Sequence, residues 1–293
     1  MVAFGPVHLT EPAVARILAK RAEVHFLTRF GLPKGRLCPA DDRRSDVRLA
    51  QYRAFCDDAF RLAVARSIVS AKVMNCRQLV MRYVRNHPDA ALKQKAAELK
   101  KRAANAAKAG SLESLLGNEG SAAKLYFEAF ETMVGDEKLF DGRSRRPPAD
   151  PANALMSLGY TLLGGEIAGI LAAHGLDPYI GFYHKARRGL PALAQDVLEE
   201  FRAPIVDRLV LSLLNRGVLT HSDFVAGPKG GLRLKALPLK LFLHEYEDAL
   251  MSKFRLRDGS ETTLRRMIDR QCACLRRATV EEANYEPFIP ERT

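Results

Sequence analysis

Two carboxylates and one imidazole that suit metal chemistry are spread over three stretches of this chain of 293 residues. Glu119 stands where we predict a helix to begin, and His184 follows a predicted turn. The second carboxylate comes from Asp196, Glu199 or Glu200 in a predicted helix, where Asp196 and Glu199 are three residues apart and so share a face. Such groups suit a hard divalent cation, Mg²⁺ or Mn²⁺, which activates a nucleophile for attack on a phosphodiester. The residue types therefore predict a metal-dependent protein that processes DNA or RNA.

Each of these residues also has a simpler interpretation. Glu119 in the first turn of a helix would complement the helix dipole, and a single histidine such as His184 is usually structural. Asp196, Glu199 and Glu200 stand among apolar residues, as on the solvated edge of an amphipathic helix. Only their combination, presented by two helices and a loop, indicates a metal site.

Positive charge is concentrated in one part of the chain. The formal net charge is +12, and the stretch from Arg43 to Lys108 holds sixteen Lys and Arg residues, Lys72 among them, against five acids. Apolar residues recur there at helical spacing, so the cations fall on helix faces. A basic helical surface suits the phosphate backbone of a duplex. The alternative is a solvated face that only keeps the protein soluble.

Composition excludes several classes of protein. We find no apolar run of the roughly 18 residues that a membrane span needs and no signal peptide. The five cysteines are scattered, so neither a disulfide framework nor a zinc site is indicated. The absence of Trp and an aromatic content of 8% argue against a stacking platform for single strands. We expect a soluble, cytoplasmic protein without a membrane partner.

Residues 1–40 differ from the rest of the chain. Short strands are predicted at 7–9, 23–28 and 36–38, with a helix from Thr10-Glu11-Pro12 to about Arg21 between the first two. So few short strands rarely stand alone as a sheet. We therefore expect residues 1–42 to be the C-terminal part of an N-terminal β domain.

From about Ser45 onward the pattern is helical, so the predicted fold class is α+β, mainly α, with residues 43–293 as a helical catalytic domain. A loop is predicted at 135–150, as a candidate mobile segment, and a hairpin at 225–235. The predicted helices cover 46–86 with a break near Asp57, 90–107, 119–134, 151–174 after an Asp150 N-cap, 191–216, 238–254 and 261–283.

Three long motifs resemble those of the CRISPR-associated adaptation endonucleases and integrases. They occur in the family's order, together with Gly117-Asn118-Glu119-Gly120 before them and Phe224 after them. The motifs are RPPADPANALMSLGY from Arg146, GLDPYIGFYH from Gly175, and DVLEEFR from Asp196 followed by Ile205-Val206-Asp207-Arg208. Three ordered motifs are far more specific than any one of them.

The resemblance implies an N-terminal β domain and a helical domain whose metal triad is Glu119, His184 and Glu199. It places Asp196 and Glu200 beside that triad, with Asp196 the closer to the metal. Family members insert short DNA fragments, called spacers, into a CRISPR array by attack of a 3′-hydroxyl on a phosphodiester. They work as homodimers bridged by a small ferredoxin-like companion protein. The expected cofactor is Mg²⁺ or Mn²⁺.

The resemblance also draws attention to cations and polar residues near the triad. Each cation could instead be an ordinary surface or capping group, and each polar residue could have a packing role. The candidate DNA contacts are Lys124, Arg187, Arg188 and Arg202, and the candidate lining residues are Tyr126, Asn153 and Tyr160.

Two departures from the family pattern keep an alternative open. Family members usually carry more β strands before the segment that starts at Phe4-Gly5 here. Leu190-Pro191-Ala192-Leu193 stands where a Gly-Arg-x-Ser-Leu-like stretch is commoner, which removes a cation and a hydroxyl beside the site. The alternative function is a truncated, catalytically inactive DNA-binding or assembly subunit. A third, more distant one is a transposon-encoded integrase of the same family.

Overall fold

The computed structural model describes most of the chain. Arg43, Arg44 and Arg146, the ends of the predicted strand 23–28, Pro228 in the predicted hairpin and the boundary at 42/43 lie outside the described residues. The described ranges are 1–20, 22, 24–27, 33–39, 45–144, 147–227, 230–256 and 259–290.

The N-terminal segment forms a small three-stranded sheet of β1 (Val2–Phe4), β2 (Val24–Leu27) and β3 (Pro33–Leu37), in that order. β1 pairs with β2 in parallel, and helix α1 (Glu11–Ala19) supplies the crossover that parallel strands require. β2 and β3 are antiparallel. The strand predicted at 7–9 is wrong, because Gly5, with φ of 75°, turns the chain immediately after β1.

The rest of the described chain is helical, which confirms the predicted fold class. The break near Asp57 is also confirmed, because its carboxylate caps the next helix by accepting from the backbone N–H groups of Ala59 and Phe60. The helices are α2 (Ser45–Cys56), α3 (Asp58–Asn86), α4 (Ala90–Ala107), α5 (Leu112–Val134), α6 (Pro151–Ala173), α7 (Ala192–Phe201), α8 (Arg208–Asn215), α9 (Ala236–Met251) and α10 (Leu264–Glu281).

The long helix predicted over 191–216 is interrupted. A π-helical turn (Arg202–Asp207) separates α7 from α8. Pro204 lies inside this turn and has no N–H to donate, so a regular α-helical ladder cannot run through it. The interruption matters for function because α7 carries Asp196 and Glu199 and the turn begins at Arg202.

Two short hairpins complete the described structure. β4 (Phe224–Ala226) pairs with β5 (Leu232–Leu234), which confirms the hairpin predicted at 225–235. β6 (Lys253–Arg255) pairs with β7 (Glu261–Thr263), so the last helix starts three residues later than predicted.

Helix α6 lies in the centre of the core. Leu155, Leu163 and Ile167 are fully buried. At Gly159 a Cβ atom would stand 2.6 Å from Val206 Cγ1, so the missing side chain lets α6 pack closely on the π-helical turn. In the described part of the chain, α6 alone is long and apolar enough to cross a membrane by length and composition, contrary to our sequence-based expectation. These buried contacts are those of a core helix.

The described residues of the loop before α6 are held by contacts with the core, although the sequence predicted a candidate mobile segment. Phe140 is fully buried. Asn153 donates to the backbone carbonyl of Gly142 at 2.7 Å and accepts from the backbone N–H of Ser144 at 3.1 Å. Asn153 therefore has the structural role that the sequence left open.

Candidate metal and nucleic-acid site

Lys72 of α3 lies between two of the predicted metal ligands. Its ammonium group donates a hydrogen bond to Glu119 Oε1 and stands 2.7 Å from Glu199 Oε2. The Lys72 side chain is 13% exposed, and that of Glu199 is 3% exposed. A lysine this deep in a protein needs carboxylate partners, so the two glutamates and the lysine form one charged cluster.

Glu119 lies near the middle of α5, so the prediction that it starts a helix is wrong. The helix begins at Leu112, where the hydroxyl of Ser111 accepts from the backbone N–H of Ser114. Glu119 is therefore more than a turn away from the free N–H groups of the helix start. Its charge serves the site and does not complement the helix dipole.

Asp196 holds the loop that carries His184. Its two carboxylate oxygens accept the backbone N–H groups of Phe182 at 2.7 Å, Tyr183 at 3.0 Å and His184 at 2.8 Å. Oδ1 also lies 2.7 Å from His184 Nδ1. With Nδ1 held this way, Nε2 faces the glutamates, 3.7 Å from Glu199 Oε1. A carboxylate in this position fixes the tautomer and orientation of a metal-binding histidine.

Two further side chains fix the same loop. Gln51 of α2, fully buried, donates to the carbonyls of Asp177 and Ile180 at 2.9 and 2.8 Å. Tyr183 is buried and donates from its hydroxyl to Glu119 Oε2 at 2.5 Å. Gln51 therefore fixes the start of the loop, and Tyr183 fixes the residue directly before His184.

The approach of this loop to α7 requires a glycine at position 181. A Cβ atom there would stand 2.8 Å from the carbonyl carbon of Ala192 and 2.9 Å from Asp196 Oδ2. A larger residue would push the loop away from Asp196 and so displace His184.

Arg202 forms an ion pair with Glu199 and is held in position by a buried network of tyrosines. Its Nη2 lies 3.1 Å from Glu199 Oε1, and its guanidinium stands 4.6 Å above the ring of Tyr160. Tyr160 in turn donates its hydroxyl to buried Asp207, which also accepts from Tyr126 at 2.7 Å. The network lines a cavity of about 140 Å³ that also contacts Lys72 and Glu119.

The adjacent residues Glu199 and Glu200 have pKa values that are shifted in opposite directions by their surroundings. Burial would raise the pKa of Glu199, but the charges of Arg202 and Lys72 outweigh it, so the pKa is lowered and Glu199 stays ionised. Burial raises the pKa of Glu200 to about 8, despite hydrogen bonds from Tyr285 and the backbone of Phe288. Only Glu199 is therefore suited to bind a cation near neutral pH.

The other two predicted ligands also have displaced pKa values. Burial opposes ionisation of Glu119, but the charge of Lys72 and its hydrogen bond lower the pKa of that carboxyl. Burial disfavours the charged form of His184, yet the hydrogen bond and charge of Asp196 raise its pKa. The site therefore has two ionised carboxylates that are balanced at present by protein cations.

The donor set fits a divalent cation in type, but the ligands are not gathered into a ready metal cluster. No group of three His, Cys, Asp or Glu side chains within the described ranges is arranged to hold a metal. The Lys72 ammonium occupies the position between the carboxylates of Glu119 and Glu199. Glu199 Oε2 is buried, and its partner among the described residues is the Lys72 ammonium, so a cation that displaces this ammonium would find the oxygen free.

The four candidate DNA contacts lie in different settings. Arg187 and Arg188 are exposed on the loop that follows His184, beside the site. Arg202 is only 16% exposed and is already paired with Glu199. Lys124 is exposed five residues after Glu119, which places it about 140° away around α5. Of the four, Arg202 contacts the triad, Arg187 and Arg188 lie in exposed positions three and four residues after His184, and Lys124 is turned away from Glu119 around α5.

Replacing Asp196 with Asn tests the histidine orientation. The amide leaves one oxygen to serve four donors and turns an NH₂ group toward two backbone N–H groups, so we expect the affinity for Mn²⁺ to fall about 10- to 100-fold. Isothermal titration with Mn²⁺ measures this. Asp269→Asn is the matched control, because Asp269 pairs with His174 at 2.9 Å at the surface. Equal Mn²⁺ affinity in wild type and Asp196→Asn would contradict the assignment.

Comparisons with known proteins show which family the chain is similar to. A family model described as CRISPR associated protein Cas1 matches residues 1–248. The chain is 35% identical to CRISPR-associated endonuclease Cas1 3 of Thermus thermophilus, over 98% of this chain and 85% of that protein. A casposase bound to integration product has a TM-score of 0.82 at 26% identity, over 97% of this chain and 79% of that chain. A chain of a Cas6-RT-Cas1–Cas2 complex also has a TM-score of 0.82 at 26% identity, covering 99% of this chain and 32% of that chain.

Proposed function

The chain belongs to the Cas1 family of CRISPR-associated proteins, and from that membership and the site we propose that it is a metal-dependent DNA endonuclease and integrase. Its proposed reaction is the insertion of short DNA fragments into a CRISPR array. The observation that carries this proposal is that Glu119, His184 and Glu199 come together from three separate elements. The Lys72 ammonium contacts both glutamates, and His184 Nε2 stands 3.7 Å from Glu199 Oε1.

The proposed reaction exchanges one phosphodiester for another. A bond forms between the 3′-oxygen of the incoming fragment and a phosphorus atom of the target, and the bond from that phosphorus to the target's own 3′-oxygen breaks. The attacking hydroxyl loses a proton and the leaving oxygen gains one, so no oxidant or energy source is needed. Mg²⁺ or Mn²⁺, held by Glu119, His184 and Glu199, would supply Lewis-acid stabilisation of the charge on the phosphate.

The chain's own residues have defined tasks in this reaction. Asp196 keeps His184 Nδ1 occupied, so that Nε2 is presented to the site. Tyr183 fixes one oxygen of Glu119 and leaves the other for a cation. Arg202, held in place by Tyr160, offers a positive charge at the point where a phosphate oxygen would lie.

The partners that we propose are DNA, a second copy of the chain and a small ferredoxin-like companion. Two of the similar structures support the first and the last of these, since one contains an integration product and the other contains Cas2. The exposed Arg187 and Arg188 beside His184 are where we expect the DNA backbone to approach the site.

Strand transfer by purified protein tests the proposed function. The protein, alone and with its companion, is incubated with a duplex that has a free 3′-hydroxyl, a repeat-bearing target and Mn²⁺. We expect joined products in Mn²⁺ and none in a parallel reaction that contains EDTA from the start. Absence of joined products from wild type with intact duplex binding would favour the alternative, a catalytically inactive DNA-binding or assembly subunit.

Arg187→Ala/Arg188→Ala tests the proposed DNA approach. Losing two phosphate contacts makes the slope of log K against log salt less steep by about 1.8, because each contact contributes about 0.9. Mn²⁺ affinity stays unchanged, since neither residue contacts the triad. Fluorescence anisotropy on a labelled duplex between 50 and 200 mM salt, about the range over which such contacts act, measures this. The control is Arg216→Ala/Lys240→Ala, which removes the same charge from exposed positions just after α8 and on α9. An equal slope change in both variants would contradict the placement.

A further inference from the structure

The chain segment after α10 contacts the helix that carries Glu199. α10 ends at Glu281, and Glu282 takes a positive φ of 51° that reverses the chain. Residues 283–290, which we name the C-terminal strap, then place two aromatic side chains in the core. Tyr285 is 7% exposed and Phe288 is 5% exposed. A segment without regular secondary structure that buries two large side chains is held by specific contacts.

The first set of contacts goes to the two residues immediately after Glu199. The Tyr285 hydroxyl donates to Glu200 Oε1, and the backbone N–H of Phe288 donates to Glu200 Oε2 at 2.6 Å. The Phe288 ring stacks on Phe201 with centroids 4.9 Å apart and an angle of 14° between the rings. Glu200 thus uses both oxygens on the strap, about a quarter turn around α7 from Glu199.

The second contact is a hydrogen bond from Asn75 to the backbone carbonyl of Glu200, which Pro204 leaves without its usual helical donor. An α-helical carbonyl at Glu200 would accept from the N–H of residue 204, and proline has none. Asn75 Nδ2 supplies a donor instead, at 2.7 Å, and also donates to the carbonyl of Phe288 at 2.9 Å. Because both partners are carbonyls, the orientation of the amide is fixed. Asn75 therefore ties the strap to the backbone at the end of α7.

These contacts surround the part of the chain that connects Glu199 to Arg202. Lys72, three residues before Asn75 on the same face of α3, contacts Glu199. The end of α7 is therefore held both by the strap and by the charged cluster. A small rotation at this point, where the α-helix passes into the π-helical turn, would move the carboxylate of Glu199 relative to His184 and Glu119.

We infer that the C-terminal strap is a positioning element of the metal site: Tyr285, Phe288 and Asn75 fix the backbone of residues 199–202 and so aim Glu199 and Arg202 at the cation. The inference rests on the proposed function, because the quantity that the strap sets is the affinity of the site for a divalent cation. Groups that orient metal ligands in this indirect way change metal affinity by about 10- to 100-fold when they are removed.

The variant Tyr285→Phe tests the strap in the full-length chain. It removes one hydroxyl and keeps the ring, so folding is preserved. The matched control is Tyr246→Phe on α9, which removes the same hydroxyl from a buried tyrosine whose oxygen has no hydrogen-bond partner among the described residues. Titration calorimetry with Mn²⁺ should give an affinity about tenfold weaker for Tyr285→Phe and within about twofold of wild type for Tyr246→Phe.

Hydrogen–deuterium exchange without metal gives a second reading. Amides of residues 196–207 should exchange faster in Tyr285→Phe than in Tyr246→Phe. Unchanged Mn²⁺ affinity in Tyr285→Phe, or an equal loss in both variants, would overturn the inference while leaving the proposed function standing. Wild type that binds no Mn²⁺ would overturn the proposed function, and the exchange rates would then decide the backbone part of the inference alone.

Discussion

Replacing Glu199 with Gln will abolish strand transfer while leaving duplex binding in place. The substitution keeps the shape of the side chain but removes the charge that Lys72 and Arg202 contact at 2.7 and 3.1 Å. It also replaces one of the two carboxylate oxygens with an NH₂ group, which cannot bind a cation. Losing several kcal/mol of transition-state stabilisation lowers the rate by at least ~1000-fold. Gel analysis of joined products against time in Mn²⁺ measures the rate.

Glu128→Gln is the control for this prediction. Glu128 also pairs with a lysine, Lys95, at 2.8 Å, but on the surface of α5. We expect its joining rate to stay within about twofold of wild type, because an exposed pair contributes little. If Glu199→Gln joins DNA at more than a tenth of the wild-type rate, Glu199 is not a ligand of a required metal. If it fails to bind duplex, the loss comes from folding or DNA contact.

The triad could be predicted from sequence because His184 and Glu199 stand in long motifs and Glu119 in a short one that precedes them in the same order. The residues that surround the triad could be predicted only in part. Lys72 shares a helix face with Ile68, Val69 and Cys76, all buried. A lysine within an apolar face must meet a carboxylate, so this spacing was a usable signal for a buried ion pair. This signal was missed because Lys72 was counted with the basic residues of α3 and α4, and a total charge does not say which helix face each cation lies on.

Helix boundaries near the site show where local patterns mislead. Gly117 and Gly120 suggested a helix start, yet both lie inside α5, which Ser111 caps earlier. Pro204 inside the helix predicted over 191–216 was a signal for an interruption. What sequence could not provide was long-range pairing. Nothing near Asp196 indicates that it serves three backbone N–H groups of a loop 12–14 residues away.

Replacing Lys72 with Met will raise the affinity for Mn²⁺ and weaken the metal-free protein. The ammonium neutralises Glu119 and Glu199 from the position between them, so a divalent cation has to displace it. Without it, two buried carboxylates repel each other, and the free energy of unfolding falls by about 3 kcal/mol, the cost of breaking a buried ion pair. Mn²⁺ then restores stability by binding the folded state. We expect Mn²⁺ to bind about tenfold more tightly, a change of about 1.4 kcal/mol.

Calorimetry and thermal unfolding, each with and without Mn²⁺, distinguish this exchange from a purely structural lysine. Lys95→Met is the control, because it breaks the surface pair with Glu128 and should change neither quantity appreciably. A Lys72→Met protein that is destabilised but binds Mn²⁺ with wild-type affinity would mean that the ammonium and the metal occupy different places. Weaker binding would mean that Lys72 holds the two glutamates in position for the metal. Tighter binding makes Lys72 a competitor built into the chain, so that metal entry frees its charge for a phosphate beside Arg202.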